Sequence, residues 1–263
     1  MPTPHVLILR APGTNCDRET AYAFRRAGAK TTTAHINELL ANPTLASSHQ
    51  VLCVPGGFSY GDDIAAGRIL ANQIRHHLGD MLRTFQDQGK LVLGICNGFQ
   101  VLIKAGVLLP DDTQGEPATL TWNASGRFQC RWVRLCTTGS RCVFLRGIEY
   151  MYLPIAHAEG KFVARDEAIL QDLNRRGQLA LRYQAADRST SGSDETLPFP
   201  CNPNGSAANV AGICDESGRV FGLMPHPERH IDATQHPRWT RGEASDPGDG
   251  LRVFQNAVAY FAG

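Results

Sequence analysis

The chain has 263 residues, 42% apolar and 19% charged, with 26 Lys and Arg against 25 Asp and Glu and a formal net charge of +1. That balance offers no electrostatic handle for nucleic acid or an anionic membrane surface, so neither is expected as a partner. No apolar run reaches the length of a transmembrane helix.

The opening Met1-Pro2-Thr3-Pro4-His5 lacks the basic-then-apolar layout of a signal peptide, and a cytoplasmic protein is expected. Val6-Leu7-Ile8-Leu9 reads as a buried strand. It feeds a loop at Pro12-Gly13, and a helix follows with Asn15 as its expected N-cap and Asp17 and Glu19 in the first turn. That helix ends at Gly28, and a second strand runs from Lys30 to His35. Val51-Leu52-Cys53-Val54 is a third strand without alternation, as expected of a strand covered on both faces. A glycine-rich loop follows, Pro55-Gly56-Gly57-Phe58-Ser59-Tyr60-Gly61-Asp62-Asp63. Leu70, Ile74, Leu78, Met81, Leu82 and Phe85 then form the stripe of one long helix.

Leu91-Val92-Leu93-Gly94-Ile95 is a strand that ends at Cys96. A helical pattern starts at once, with Phe99, Leu102 and Ile103 at i, i+3, i+4. Cys96 thus sits on a sharp strand-to-helix turn, between Gly94 and Gly98, where side chains would collide with the tight backbone. This is the cysteine version of the G-x-S-x-G nucleophile elbow. The helix dipole there favours the thiolate. Strands alternating with helices predict an α/β fold, a doubly wound, mostly parallel sheet flanked by helices. In such sheets the site lies beyond the carboxyl ends of the strands, where the Gly56-Gly57 loop and Cys96 both fall.

From about Leu120 the pattern becomes an antiparallel extension. Strands are expected at Arg127–Leu135, Met151–Ile155, Phe162-Val163 and Leu179–Tyr183, then a long polar loop from Ala186 to Asn209. Val210–Cys214 and Val220–Met224 are strands, Gln235–Gly250 is a loop, and a closing helix carries Leu251, Phe254, Val258 and Phe261. No repeat or linker divides the chain, and 1–263 is expected to be a single domain.

Eight cysteines in a chain without a signal peptide are expected to be free thiols. There is no C-x-x-C pair, and Cys130, Cys136 and Cys142 do not have a zinc spacing, so no metal site is expected. All but Cys96 read as filler. A cysteine nucleophile needs a histidine base and a group to orient it. His5, His35, His49, His76 and His77 read as solvated. His157 and His226 both follow strands, and both have a glutamate two residues on. His226 is the better base, held between Pro225 and Pro227, with Glu228 in reach of its far nitrogen. The amide of Asn97 is one oxyanion donor by elbow geometry, and the Gly56-Gly57-Phe58 turn can supply the second. No G-x-x-x-x-G-K-[ST] or G-x-G-x-x-G occurs, which argues against a nucleotide cradle.

Gly94-Ile95-Cys96-Asn97-Gly98-Phe99-Gln100, Pro55-Gly56-Gly57 and Pro225-His226-Pro227-Glu228, in that family's order, resemble the class I (triad) glutamine amidotransferases. Arg10–Asp17, Gly57–Asp63, Phe128–Trp132, Asn202–Ser206 and Met224–Arg229 are similar to the glutaminase components of phosphoribosylformylglycinamidine synthases. The resemblance implies a flavodoxin-like core and glutamine as substrate. It implies Cys96, His226 and Glu228 as catalytic residues, with Gly57, Phe58, Asn97, Gln100 and His157 around the oxyanion and substrate. It further implies ammonia transfer to a large synthetase subunit that uses ATP and magnesium, a small accessory subunit, and no cofactor in this chain. The product would serve de novo purine synthesis. On the triad alone, a stand-alone cysteine hydrolase such as a γ-glutamyl hydrolase or peptidase is the alternative. A non-catalytic scaffold would need a broken triad. One departure stands out: the family reads His-Gly-Glu-Gly where this chain has His157-Ala158-Glu159-Gly160. If that glycine needs φ > 0, Ala158 carries strain of about 1 kcal/mol.

Overall fold

The computed structural model describes residues 3–137, 139, 141–187 and 195–262. In chain order it comprises β1 (His5–Arg10), α1 (Asp17–Arg26), β2 (Lys30–His35), α2 (Ile36–Ala41), β3 (Val51–Val54), α3 (Arg68–His77), α4 (Gly79–Asp87), β4 (Leu91–Ile95) and α5 (Asn97–Lys104). The second half adds β5 (Ala118–Thr121), β6 (Gln129–Thr137), β7 (Tyr150–His157), β8 (Lys161–Ala164), α6 (Glu167–Arg175), β9 (Leu181–Tyr183), β10 (Val210–Cys214), β11 (Val220–Leu223) and α7 (Leu251–Ala259).

Nine strands form one sheet in the order β2-β1-β3-β4-β11-β10-β9-β6-β7, and β5 and β8 pair separately. The first five of these are mutually parallel. From β11 outward the pairing is antiparallel. The expected α/β sheet with an antiparallel extension is the observed one, and β11 is the strand where the two halves join. Every residue of β3, β4, β10 and β11 is buried, which explains why these strands read as apolar runs rather than alternations.

Several local expectations need correction. The long helix is two, α3 and α4, broken at Leu78 (φ −119°, ψ 6°). Its stripe is continuous, with Leu70, Ile74, Leu78, Leu82 and Phe85 all buried, but Gly79 weakens helix continuation and Asp80 opens a new first turn. Asn15 does not cap α1. The N-cap position is Cys16, whose thiol donates to Asn15 Oδ1 at 3.2 Å. β6 begins two residues later than expected, and β7 extends at both ends of the expected strand. Within 235–250 there is a short 3-10 turn at Trp239–Arg241. Of the expected Ala186–Asn209 loop, 188–194 lie outside the described residues, and Ala207–Asn209 closes it as a 3-10 turn. Among the described residues no helix is long and apolar enough to cross a membrane.

Candidate active site

Because β3, β4 and β11 are adjacent and parallel, the segments leaving their carboxyl ends meet at one edge of the sheet. They are the Gly56-Gly57 loop, the Cys96 turn and the Pro225–Glu228 segment. Cys96 stands at φ 50°, ψ −105°, a region that L-residues rarely occupy. Its amide donates to Leu223 O at 2.7 Å, which ties the turn to β11. The flanking glycines are sterically required. A Cβ on Gly98 would lie 1.8 Å from Val54 O, and one on Gly94 would lie 2.6 Å from Gly98 O.

His226 is buried, and its Nδ1 is 2.6 Å from Glu228 Oε1. Its amide donates to Pro154 O at 2.9 Å. Its Nε2 has no hydrogen-bond partner and faces the sulfurs of Cys96 and Cys16. Burial disfavours the imidazolium, but the Glu228 carboxylate, helped by those sulfurs, outweighs it and holds His226 well above its ordinary pKa. Gly56 lies flat against this group: a Cβ there would sit 2.9 Å from His226 Cε1, 3.1 Å from Cys16 Sγ and 3.5 Å from Cys96 Cβ.

Asn97 is the first residue of α5, where amides have no intrahelical acceptor, so its N–H is available to a ligand. The amide of Phe58 is not, because it donates to Gly13 O at 3.0 Å. That removes the Phe58 amide from the candidate oxyanion donors of the Gly56-Gly57-Phe58 turn and keeps Gly57 among them. The Phe58 side chain is 45% exposed and therefore free to meet a ligand. Gln100 is buried, donates to Glu159 O at 2.5 Å and accepts from Asn97 Nδ2 at 2.9 Å. It braces the elbow from behind.

His157 ends β7 and is buried, with Nδ1 3.1 Å from Asn123 Oδ1. Burial, with the nearby His226 charge, lowers its pKa to about 3, so it is neutral under ordinary conditions. The antiparallel extension nevertheless reaches the site, since Ala156 O lies 3.7 Å from Cys96 Sγ. Ala158 is not among the positive-φ residues, so the departure from His-Gly-Glu-Gly carries no strain of that kind.

Sequence reasoning missed Cys16. The described cysteines are all free, as expected, but Cys16 is not filler. Its sulfur accepts from Arg229 Nη2 at 3.1 Å, and Arg229 Nε donates to Glu19 at 2.9 Å. Burial, opposed by the adjacent His226 ring and the Arg229 charge, pushes its thiol up to about 11. Both Cys16 and Arg229 fall inside the stretches that carry the family resemblance, which was the available signal. His49 is also not solvated: it is buried, with Nδ1 3.0 Å from Leu45 O.

The family model of the CobB/CobQ-like glutamine amidotransferase domain matches residues 3–261. The phosphoribosylformylglycinamidine synthase subunit PurQ of Dehalococcoides mccartyi is 49% identical over 97% of this chain and 96% of its own length. The protein of the same name from Methanococcus maripaludis is 41% identical, covering 98% and 97%. Among solved structures, a chain of PurLQS from Thermotoga maritima superposes with a TM-score of 0.73 at 30% identity, over 99% of this chain and 100% of that one. A glutamine amidotransferase from Thermotoga maritima, at 13% identity and TM-score 0.56 over 99% and 98%, shares the fold.

Proposed function

The chain belongs to the CobB/CobQ-like glutamine amidotransferase domain family, and from that premise we propose that it is the glutaminase subunit of a phosphoribosylformylglycinamidine synthase. The observation that carries this reading is the strained Cys96 turn facing a buried His226 whose other nitrogen is held by Glu228.

In this mechanism the Cys96 sulfur attacks the side-chain amide carbon of glutamine, and its proton passes to His226 Nε2. The oxyanion that forms is met by the Gly57 and Asn97 amides. His226 then protonates the departing nitrogen, the C–N bond breaks, and ammonia leaves a glutamyl thioester. Water, deprotonated by His226, attacks the thioester. The C–S bond breaks, glutamate leaves, and the proton returns to the Cys96 sulfur. Glu228 keeps the ring oriented and stabilises the imidazolium throughout.

Ammonia passes to a large synthetase subunit, where ATP with magnesium activates formylglycinamide ribonucleotide for conversion to the amidine in de novo purine synthesis. A small accessory subunit completes the complex, and a cytoplasmic location accords with this role. The likeness to a chain of PurLQS from Thermotoga maritima, together with the lack of a G-x-x-x-x-G-K-[ST] or G-x-G-x-x-G motif in this sequence, supports that division of labour.

The test is ammonia release from glutamine, and amidine formation, by the purified chain with and without its synthetase subunit. Cys96→Ala is expected to lower glutamine hydrolysis by about 10³-fold or more. Hydrolysis at the wild-type rate by Cys96→Ser in the complex would sink the mechanism. Hydrolysis with no transfer to formylglycinamide ribonucleotide would point to a stand-alone hydrolase.

A further inference from the structure

The Asn202-Pro203-Asn204-Gly205-Ser206 stretch has no place in that mechanism, yet Asn202, Asn204 and Ser206 are all buried. They hold the turn after β7. Gly160 O accepts from Asn204 Nδ2 at 2.7 Å and from Ser206 Oγ at 3.4 Å. Asn204 O accepts in turn from Ala124 N at 2.9 Å, which sets Asn123 against the same turn.

The Asn123 side chain is 2% exposed, and its orientation is fixed by its partners. Its Nδ2 donates to two carbonyls, Arg127 O and His157 O, both at 2.9 Å. Its Oδ1 accepts from the Gly160 amide at 3.1 Å and stands 3.1 Å from His157 Nδ1. An amide oxygen can only accept, so Nδ1 carries the ring proton. Burial holds the ring neutral, and Nε2 therefore keeps a bare lone pair. That atom is buried and has no hydrogen-bond partner. The ring lies against Gly160, where a Cβ would sit 2.2 Å from its Cε1 and 2.3 Å from its Nδ1.

The strand that carries His157 runs beside the triad. Pro154 O accepts from the His226 amide at 2.9 Å, Ala156 O lies 3.7 Å from Cys96 Sγ, and His157 is the next residue. A fixed, uncharged acceptor left unmet beside a nucleophile suits a ligand that brings a hydrogen, and it disfavours one that does not. The carboxamide of glutamine has two hydrogens on its nitrogen, and a carboxylate has none. We propose that His157 Nε2 accepts a hydrogen bond from the carboxamide N–H of glutamine and so selects for an amide, and that Asn123 is the positioning residue that keeps the lone pair on that nitrogen. The substrate contact rests on the glutaminase reading above, whereas the position of the ring proton does not.

Two measurements test it. In the full chain with isotope-labelled histidine, nitrogen NMR shifts near neutral pH report the protonation of each ring nitrogen, and the His157 signals are those lost in His157→Gln. The proton is expected on Nδ1, and Asn123→Leu is expected to move population toward Nε2–H. A wild-type ring protonated at Nε2 overturns the proposal. In the complex with the synthetase subunit, kcat/KM is compared for glutamine and for the γ-methyl ester of glutamate, which presents the same carbonyl without an N–H. His157→Leu should lower it about 5-fold for glutamine and less than about 2-fold for the ester. His157→Gln, which offers an accepting oxygen, should recover part of that loss. Asn123→Leu should repeat the selective loss and add nothing to it in the double variant. Equal losses on amide and ester, or additive losses in the double variant, overturn the proposal. Should Asn123→Leu fail to fold, the wild-type spectrum and the two His157 variants decide. A wild-type complex that hydrolyses no glutamine removes the glutaminase reading and the substrate contact with it, whatever the spectrum shows.

Discussion

At Cys96 the chain accepts a backbone conformation that costs on the order of 1–3 kcal/mol, held by the Leu223 hydrogen bond and by the two glycines that let Val54 and α5 close in. The strand-turn-helix context of Cys96 is legible in sequence because it lies within ten consecutive residues. The proximity of Glu228 to His226 is legible for the same reason. Cys16 is not, because its meaning depends on the loop after β1 meeting the loop after β11. The two candidate histidines separate by environment. His226 faces the sulfurs, while the hydrogen bond of the His157 ring goes to Asn123. His226→Ala is therefore expected to remove glutamine hydrolysis almost completely, and His157→Ala to leave a substantial fraction; equal losses in steady-state rate would mean the base is wrongly chosen. His157 also has a stability signature. Its folded pKa of about 3 lies below the unfolded 6.5, so the unfolded chain binds the extra proton between those values. The stability of the neutral form is complete above pH 6.5 and declines as pH falls toward 3, by up to about 1.4 kcal/mol per pH unit. His157→Gln should flatten the difference in urea-unfolding free energy between pH 6.5 and pH 4.5; an unchanged slope would contradict the assignment.

The elements around the elbow are held by a chain of buried polar contacts. The Asn97 side chain accepts from Ser59 N at 3.1 Å and donates to Asp62 at 3.1 Å and to Gln100 at 2.9 Å. Glu159 accepts from Ala66 N, and Lys104 Nζ reaches both Ala66 O at 2.6 Å and Glu159 at 3.8 Å. Thus α5, the 59–67 loop and the turn after β7 are fastened together behind the Asn97 amide. Apolar periodicity reveals α5 but says nothing about Lys104 being buried, since a lysine in the last turn of a helix is ordinarily a solvated residue that complements the dipole. The break at Leu78 is hidden for a related reason: the stripe continues unbroken across it. Lys104→Met leaves Glu159 buried without its cation and should cost about 3–5 kcal/mol of unfolding free energy. Adding Glu159→Gln should recover part of that loss, a coupling read from the double-mutant cycle. Strict additivity of the two losses would show that the pair does not interact.

For the whole molecule, the sheet order explains why function was easier to read than architecture. Strand identity follows from local apolar runs, but the fact that β11 inserts beside β4 is a long-range pairing with no local signature, and it is this pairing that brings His226 to Cys96. The same strand fuses the parallel and antiparallel halves. One hydrophobic cluster runs from Val6 in β1 to Ala257 in α7 and includes both halves. Phe144 sits at the junction, fully buried, with its ring 5.8 Å from Phe221 of β11 and its carbonyl accepting from Asn256 of α7 at 2.9 Å. A chain built on one such cluster should unfold as one unit. Phe144→Ala removes about 3–5 kcal/mol of packing, and for a chain of this size that lowers the thermal midpoint by about 10 °C. All three tryptophans, Trp122, Trp132 and Trp239, lie in the second half, so their fluorescence reports that half, while far-ultraviolet circular dichroism reports the helices of both. In wild type and variant alike, the two probes should give coincident transitions that shift together. If Phe144→Ala moves the tryptophan transition and leaves an unshifted helical one behind, the two halves are separate domains and β11 is merely where they touch.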